Sequence, residues 1–361
     1  MKQFLPTLQM LVGVVLLLSA GTAFAGITDE TLTERIKKST PAGSGSSWAL
    51  AIDNDILVPG SRDQDYTYGI NFTLAGNQAV NQWASLHKPL GWIDNLIDLD
   101  GRIDQGIEAS KIEYGLFGFT PEDISQTAVQ QDDRPYAGLI YVSSSREIYD
   151  SRHEVSWQST LTLGIIGLSL VGDLQESIHS VFDNDKPMGW DNQISNGGEP
   201  TARYNIARQS LLSKRGSGLE VKSTLQGSVG YITEASWSFS TRAGKIRTPW
   251  VSFNPELTSY GEKSNPIGSV KVSEQYVWAG ISFKLRAYNV FLQGQFKDSA
   301  VSYSSDEVNH AIVEAWMGYT IGLRNGYSFT YSIRGHSSEL KQGKGDRNVI
   351  WGGLLLAKRF G

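Results

Sequence analysis

The stretch ALAIDNDILVPGSRDQDYTYGINFTL, residues 49–74, places Asp53, Asn54, Asp55, Asp63 and Asp65 between two regularly alternating runs. Carboxylates and carboxamides are hard oxygen donors, the kind that calcium gathers into a flexible shell. Their spacing is irregular and is not that of an EF-hand loop, so a calcium site and a solvated polar loop both remain open. Thr67 adds a hydroxyl at the start of the second run.

Two further stretches carry residue types suited to chemistry. Asp132-Asp133-Arg134-Pro135-Tyr136-Ala137-Gly138 follows Thr120-Pro121-Glu122-Asp123-Ile124 and reads as a structural clamp, an acid–guanidinium contact with proline setting the turn. The third runs from Gly172 to Phe182 and on through Gly189-Trp190-Asp191-Asn192-Gln193. With Asp173 as N-cap, Leu174, Ile178, Val181 and Phe182 make one apolar helix face and His179 lies beside it. A neutral histidine is a general base near pH 7, although a single one also serves as an ordinary hydrogen-bonding residue.

The elements that hold these residues have a period of two. Val155, Trp157, Ser159, Leu161, Leu163 and Ile165 alternate with Glu154, Ser156, Gln158, Thr160, Thr162 and Gly164, and the pattern recurs across 219–231 and 311–321. Runs of ten or so residues exceed the roughly 5–6 of a soluble strand and match a tilted strand crossing a bilayer. Twelve such runs are expected, at 46–54, 66–76, 109–119, 136–147, 153–166, 201–213, 217–231, 235–247, 276–298, 310–322, 326–336 and 347–360. An even number is what a closed bacterial barrel needs, and 15 tyrosines, 10 tryptophans and 38 glycines supply girdles and small residues. The fold class is therefore all-β: a twelve-stranded antiparallel transmembrane β-barrel with a short helix in an extracellular loop. A soluble β-sandwich is the rival reading.

The beginning of the chain agrees with export. Lys2, the apolar run Leu11–Ala20 and Ala23-Phe24-Ala25 form a signal peptide over residues 1–25, followed by a periplasmic lead-in at 26–45 and the barrel at 46–361. There is no cysteine and the net charge is −5, so neither a disulfide scaffold nor a nucleic-acid partner is expected. The ending LLLAKRFG nearly matches the aromatic terminus of outer-membrane barrels, with Phe360 one residue from the end. With both termini in the periplasm, the connections at 55–65, 120–135 and 167–200 are extracellular, and all three chemical stretches share one rim. Strict alternation from Tyr66 turns Tyr66, Tyr68, Ile70 and Phe72 to lipid and Thr67, Gly69 and Asn71 to the lumen. The long connections 77–108 and 248–275 fall at the periplasmic end, where turns are usually short. Trp83, Leu86, Pro89, Trp92, Ile93 and Leu96 suit an amphipathic segment at the inner interface.

The order and spacing of Asn54-Asp55, Asp65-Tyr66-Thr67, Thr-Pro-Glu-Asp-Ile, Asp133 to Gly138, Gln175 to His179 and Gly189 to Gln193 resemble the outer-membrane lipid A 3-O-deacylases. The likeness covers most of the exported chain, its specific motifs lying between residues 49 and 193. It implies a calcium-dependent enzyme that hydrolyses the 3-linked acyloxyacyl ester of lipid A in lipopolysaccharide, in the outer leaflet of the outer membrane. By motif, His179, Asn54 and Thr67 would be catalytic, and Asp55 with Asn54 and Thr67 would hold Ca2+. A lysine implicated after the third strand in this family has no counterpart, since no lysine lies between Lys111 and Lys186. That role is absent or passes to a residue such as Arg134. A non-enzymatic barrel, as pore or adhesin, or an inactive relative of the deacylases is the alternative.

Overall fold

The computed structural model describes residues 46–58, 64–99, 106–150, 154–182, 185–213, 218–263 and 273–360. The expected signal peptide and lead-in, and Asp63, lie outside the described residues. The strands are β1 (Ser47–Asn54), β2 (Asp65–Ala75), β3 (Gly106–Thr120), β4 (Ala137–Asp150), β5 (Val155–Ile166), β6 (Glu199–Leu211), β7 (Leu219–Gly230), β8 (Ile232–Lys245), β9 (Glu274–Asn289), β10 (Ala311–Gly322), β11 (Tyr327–His336) and β12 (Val349–Arg359). Each pairs antiparallel with its sequence neighbours, and β1 closes on β12 from Ser47↔Arg359 to Asn54↔Gly352. Closure leaves no open sheet edge, the condition for a sheet in a membrane. The helices are α1 (Asn77–Val80), α2 (His87–Leu96), α3 (Ser169–Phe182) and α4 (Val290–Gln293).

The strand expected at 276–298 is shorter: β9 ends at Asn289, whose Oδ1 accepts the Phe291 N–H at 3.1 Å and caps α4. A side chain that satisfies a helix donor ends the ladder there.

Alternate residues of a strand enter different surroundings. Phe117 and Phe119 of β3 join Tyr66, Tyr141, Tyr231, Phe291 and Trp351 in a core drawn from strands all around the wall, so this core fills the lumen. Gly118 between them faces outward, toward Val171 and Trp190. The lumen is filled further down by residues 246–263 of the connection between β8 and β9, which fold up inside the barrel. Its Tyr260 stacks on Phe117 with centroids 6.1 Å apart, and Asn71 Nδ2 donates to Gly261 O at 2.6 Å. Glu256 accepts from Lys222 Nζ at 2.8 Å, Gln209 at 2.7 Å and Ser240 at 2.7 Å, and Glu262 pairs with Arg203 at 2.9 Å. This accounts for the described part of a 248–275 connection too long for a turn: residues 246–263 are an internal plug whose buried Glu256 and Glu262 are paired, as buried charges must be.

β2 corrects one expectation. Tyr66 points into the lumen, its ring 5.0 Å from that of Trp351. The β2–β3 register slips between Tyr66 and Tyr68, a bulge with Thr67 as the extra residue. An extra residue reverses the alternation beyond it. Thr67 therefore lies on the outer side, its Oγ1 2.6 Å from Oγ1 of Thr120, the residue after lumenal Phe119. From Tyr68 the expected parity holds: Asn71 faces the plug and Phe72 is exposed.

A candidate active site between barrel wall and loop helix

Strand β5 ends at Ile166 and the chain turns through Gly167, at φ +78°, into α3. The helix starts at Ser169, so Asp173 is not its N-cap as the sequence suggested but an interior residue whose carbonyl accepts from Ser177 Oγ at 2.8 Å. Helix α3 lies against the outer face of β3 and β4. A Cβ at Gly138 would sit 2.7 Å from Val171 Cγ1 and one at Gly118 would sit 3.1 Å from it, so only glycine admits the helix this close. Tyr68, Tyr136, Val171 and Trp190 form the apolar seat, with Leu116, Ile140 and Leu174 against it. Tyr68 donates its hydroxyl proton to Val171 O, tying β2 to the helix.

Val171, Gln175 and His179 follow one another at intervals of four and share a helix face. All three are buried. Trp190 Nε1 donates to Gln175 Oε1 at 2.8 Å, which fixes the carboxamide. Its buried Nε2 has no hydrogen-bond partner in the protein among the described residues. His179 Nδ1 lies 2.6 Å from the Asp185 carbonyl oxygen. A carbonyl only accepts, so Nδ1 carries the proton and a neutral His179 has its lone pair on Nε2.

On the wall, Asn54 and Thr67 are brought together by the β1–β2 ladder, where Asn54 stands opposite Tyr68, the residue after Thr67. Asn54 Oδ1 accepts the Ile56 N–H at 2.7 Å, starting a short turn at Asp55–Leu57. Asp55 is buried and its Oδ2 accepts the Gln64 N–H at 2.6 Å. His179 comes to this wall on a separate element, α3, joined to β2 through Tyr68 and Val171. Sequence reasoning placed Thr67 in the lumen and missed the roles of Thr120, Tyr68 and the Gln175 amide, although all three stand in stretches singled out for their spacing.

Arg134 is not part of this wall. Its guanidinium pairs with Glu339 and lies 3.7 Å from Asp65 and 4.5 Å above the Phe119 ring, on the lumenal side. The clamp expected at Asp133 is present but uses a different arginine, Arg347, which is 2.7 Å from Asp133 and 2.9 Å from Asp65. Burial opposes the Arg347 charge, but the two carboxylates beside it raise its pKa above the ordinary arginine value, so this clamp stays charged.

The donors on the wall around the start of β2 are the buried Asp55 carboxylate, the Asn54 carboxamide and the Thr67 and Thr120 hydroxyls, all oxygen. Their chemistry fits calcium rather than a metal that prefers sulfur or imidazole. Among the described residues no three His, Cys, Asp or Glu side chains converge as a metal cluster, so neutral oxygens would have to complete any shell.

Comparison with known proteins agrees with this architecture. Over residues 11–360 the sequence matches the model of a family described as outer membrane protein LpxR. The solved structure of LpxR from Salmonella typhimurium superposes with a TM-score of 0.66 at 15% identity, covering 87% of this chain and 100% of that one. The translocator domain of the autotransporter NalP from Neisseria meningitidis (TM-score 0.40, 8% identity, 91% and 92% covered) and the KdgM porin (0.37, 5%, 87% and 99%) are more distant barrels. No curated protein matches the sequence. The twelve-stranded closed barrel, its outer-membrane character and the family match over nearly the whole length together place this chain in the LpxR outer membrane protein family.

Proposed function

We propose that the protein is a lipid A deacylase, hydrolysing the 3-linked acyloxyacyl ester of lipid A from the outer leaflet. The observation that supports this reading is helix α3, which carries buried His179 on the same face as Val171 and is tied through Val171 to Tyr68, the residue after the β2 bulge, on the outer wall of the barrel. A base between helix and wall is reached sideways from the leaflet, so the lipid need not be extracted into water.

In this reading His179 Nε2 takes a proton from water as its oxygen attacks the ester carbonyl. General-base catalysis of this kind contributes about 10²–10⁴ in rate. The Asp185 carbonyl holds the Nδ1 proton and so keeps the imidazole in the basic tautomer. The proton then passes from Nε2 to the departing 3-oxygen of the glucosamine, leaving a carboxylic acid and an alcohol. The free Gln175 Nε2–H, on the same helix face, donates to the carbonyl oxygen as charge builds on it. Asp55 with Asn54 and Thr67 would hold Ca2+, which when bound polarises the carbonyl as a Lewis acid. Asn54 also caps the turn that presents Asp55, so it shapes the site whether or not it touches the metal.

The pore alternative is disfavoured by a lumen filled with aromatic rings and a charge-paired plug. An adhesin or an inactive relative is separated from the enzyme by lipid chemistry. Lipid A from cells producing the protein should lose the mass of one acyloxyacyl unit, and an unchanged mass would remove the deacylase reading.

A further inference from the structure

We infer that α2, in the connection between β2 and β3, is a membrane-interface helix that seats the barrel in the periplasmic-leaflet phospholipids. Three parity relations place it on the outer wall. Ser144 and Arg146 of β4 alternate with lumenal Tyr141, Ser159 of β5 with lumenal Thr162, and Tyr204 of β6 with lumenal Arg203, the last two lumenal residues contacting plug residue Glu262. The outward set holds the helix. Asp94, fully buried, accepts from Arg146 Nη1 at 2.9 Å, Ser159 Oγ at 2.8 Å and Tyr204 OH at 2.9 Å, and Ser144 Oγ accepts the Leu86 N–H at 2.9 Å.

The helix thus covers a polar patch of a wall that faces lipid elsewhere, where unsatisfied polar groups are costly. What it presents outward is a stripe of two large apolar side chains, with Lys88 one turn before them and Asn95 beside them also exposed. Leu90 and Asp94 form the buried stripe, and Trp92 and Leu96, also four apart, form the opposite one at 65% and 66% exposure. Trp83, in the turn before the helix, is 92% exposed. Large rings with one polar N–H suit the headgroup boundary, and a short amphipathic helix lies in that plane. The stripe is continuous with the barrel's lipid-facing wall and lies at the end where the chain closes, Phe360 N bonding Ser46 O at 2.9 Å, opposite α3. A phospholipid surface is therefore its occupant.

The absence of cysteine makes the test direct. Trp92→Cys, Leu96→Cys and, at the opposite rim, exposed Lys344→Cys are each made in the full-length protein and nitroxide-labelled. They are then compared in nanodiscs of phosphatidylethanolamine and phosphatidylglycerol, with heat-modifiable migration confirming the barrel. At 92 and 96 the ratio of oxygen to water-soluble nickel-chelate accessibility should be several-fold that at 344. Equal ratios at all three positions would overturn the inference. So would dipolar broadening at 92 that vanishes on dilution with unlabelled protein, which would assign the stripe to a second copy of the chain.

Discussion

Tyr68 of the barrel wall donates its hydroxyl proton to the backbone carbonyl of Val171 in the loop helix, one contact that fixes the helix carrying His179 to the strand carrying Thr67. Tyr68→Phe removes this bond while keeping the ring in its seat. A buried hydrogen bond contributes about 0.5–1.5 kcal/mol, so the variant should assemble normally, show faster amide exchange over 169–182 and lose turnover. Gly138→Ala, whose Cβ would meet Val171 Cγ1 at 2.7 Å, should do the same more severely.

Thr67→Val keeps the shape of the bulge residue and deletes its hydroxyl, and Gln175→Met keeps the length of the side chain and deletes its donor. Each should lower kcat toward lipid A substantially while leaving heat-modifiability unchanged. For Gln175 the effect should be on kcat more than KM if the amide acts only as charge develops. An unaltered kcat in Gln175→Met would limit that residue to orienting Trp190.

The outer set of residues also explains what the sequence made legible. The alternation of β5 is visible because each residue meets either lumen or lipid, and the twelve strands follow from it with ends shifted by a few residues, except for β9, which stops at Asn289 well short of the expected 298. At Thr67 the same rule fails, because the bulge depends on pairing with residues 118–120, some fifty positions away, and nothing local announces it. The start of α3 was placed late because Asp173 has N-cap chemistry, whereas the turn at Gly167 sets the real start. The plug was illegible for a related reason: 246–263 has no period, and its order comes from lumenal partners such as Lys222, Arg203 and Asn71. The family motifs, by contrast, singled out Thr67 and His179 without showing that Thr67 lies on the outer side of the wall.

Calcium dependence is a prediction of the proposed function. Activity should be lost on chelation, return with calcium, and return poorly with magnesium, which demands a smaller octahedral shell. Asp55→Ala should raise the calcium concentration needed for half-maximal activity, checked by titrating calcium against released fatty acid. Full turnover after exhaustive chelation would remove the metal from the site.

The plug carries a separate stability prediction. Glu256 is buried with Lys222, Gln209, Thr224 and Ser240 as partners. Removing one partner of a buried ion pair costs about 3–5 kcal/mol, so Glu256→Ala should lower the temperature of the heat-modifiable transition. The double variant Glu256→Gln, Lys222→Met should recover much of that loss.

The central claim is that His179 is the base that activates water for ester hydrolysis. The most direct measurement is the mass of lipid A from cells producing the wild type or His179→Ala, with heat-modifiable migration verifying that both barrels are folded. Wild-type cells should lose one acyloxyacyl unit, and the folded variant should leave lipid A intact, its turnover down by about 10²–10⁴ as for loss of a general base. A folded His179→Ala barrel that removes the acyl unit at the wild-type rate would contradict the account.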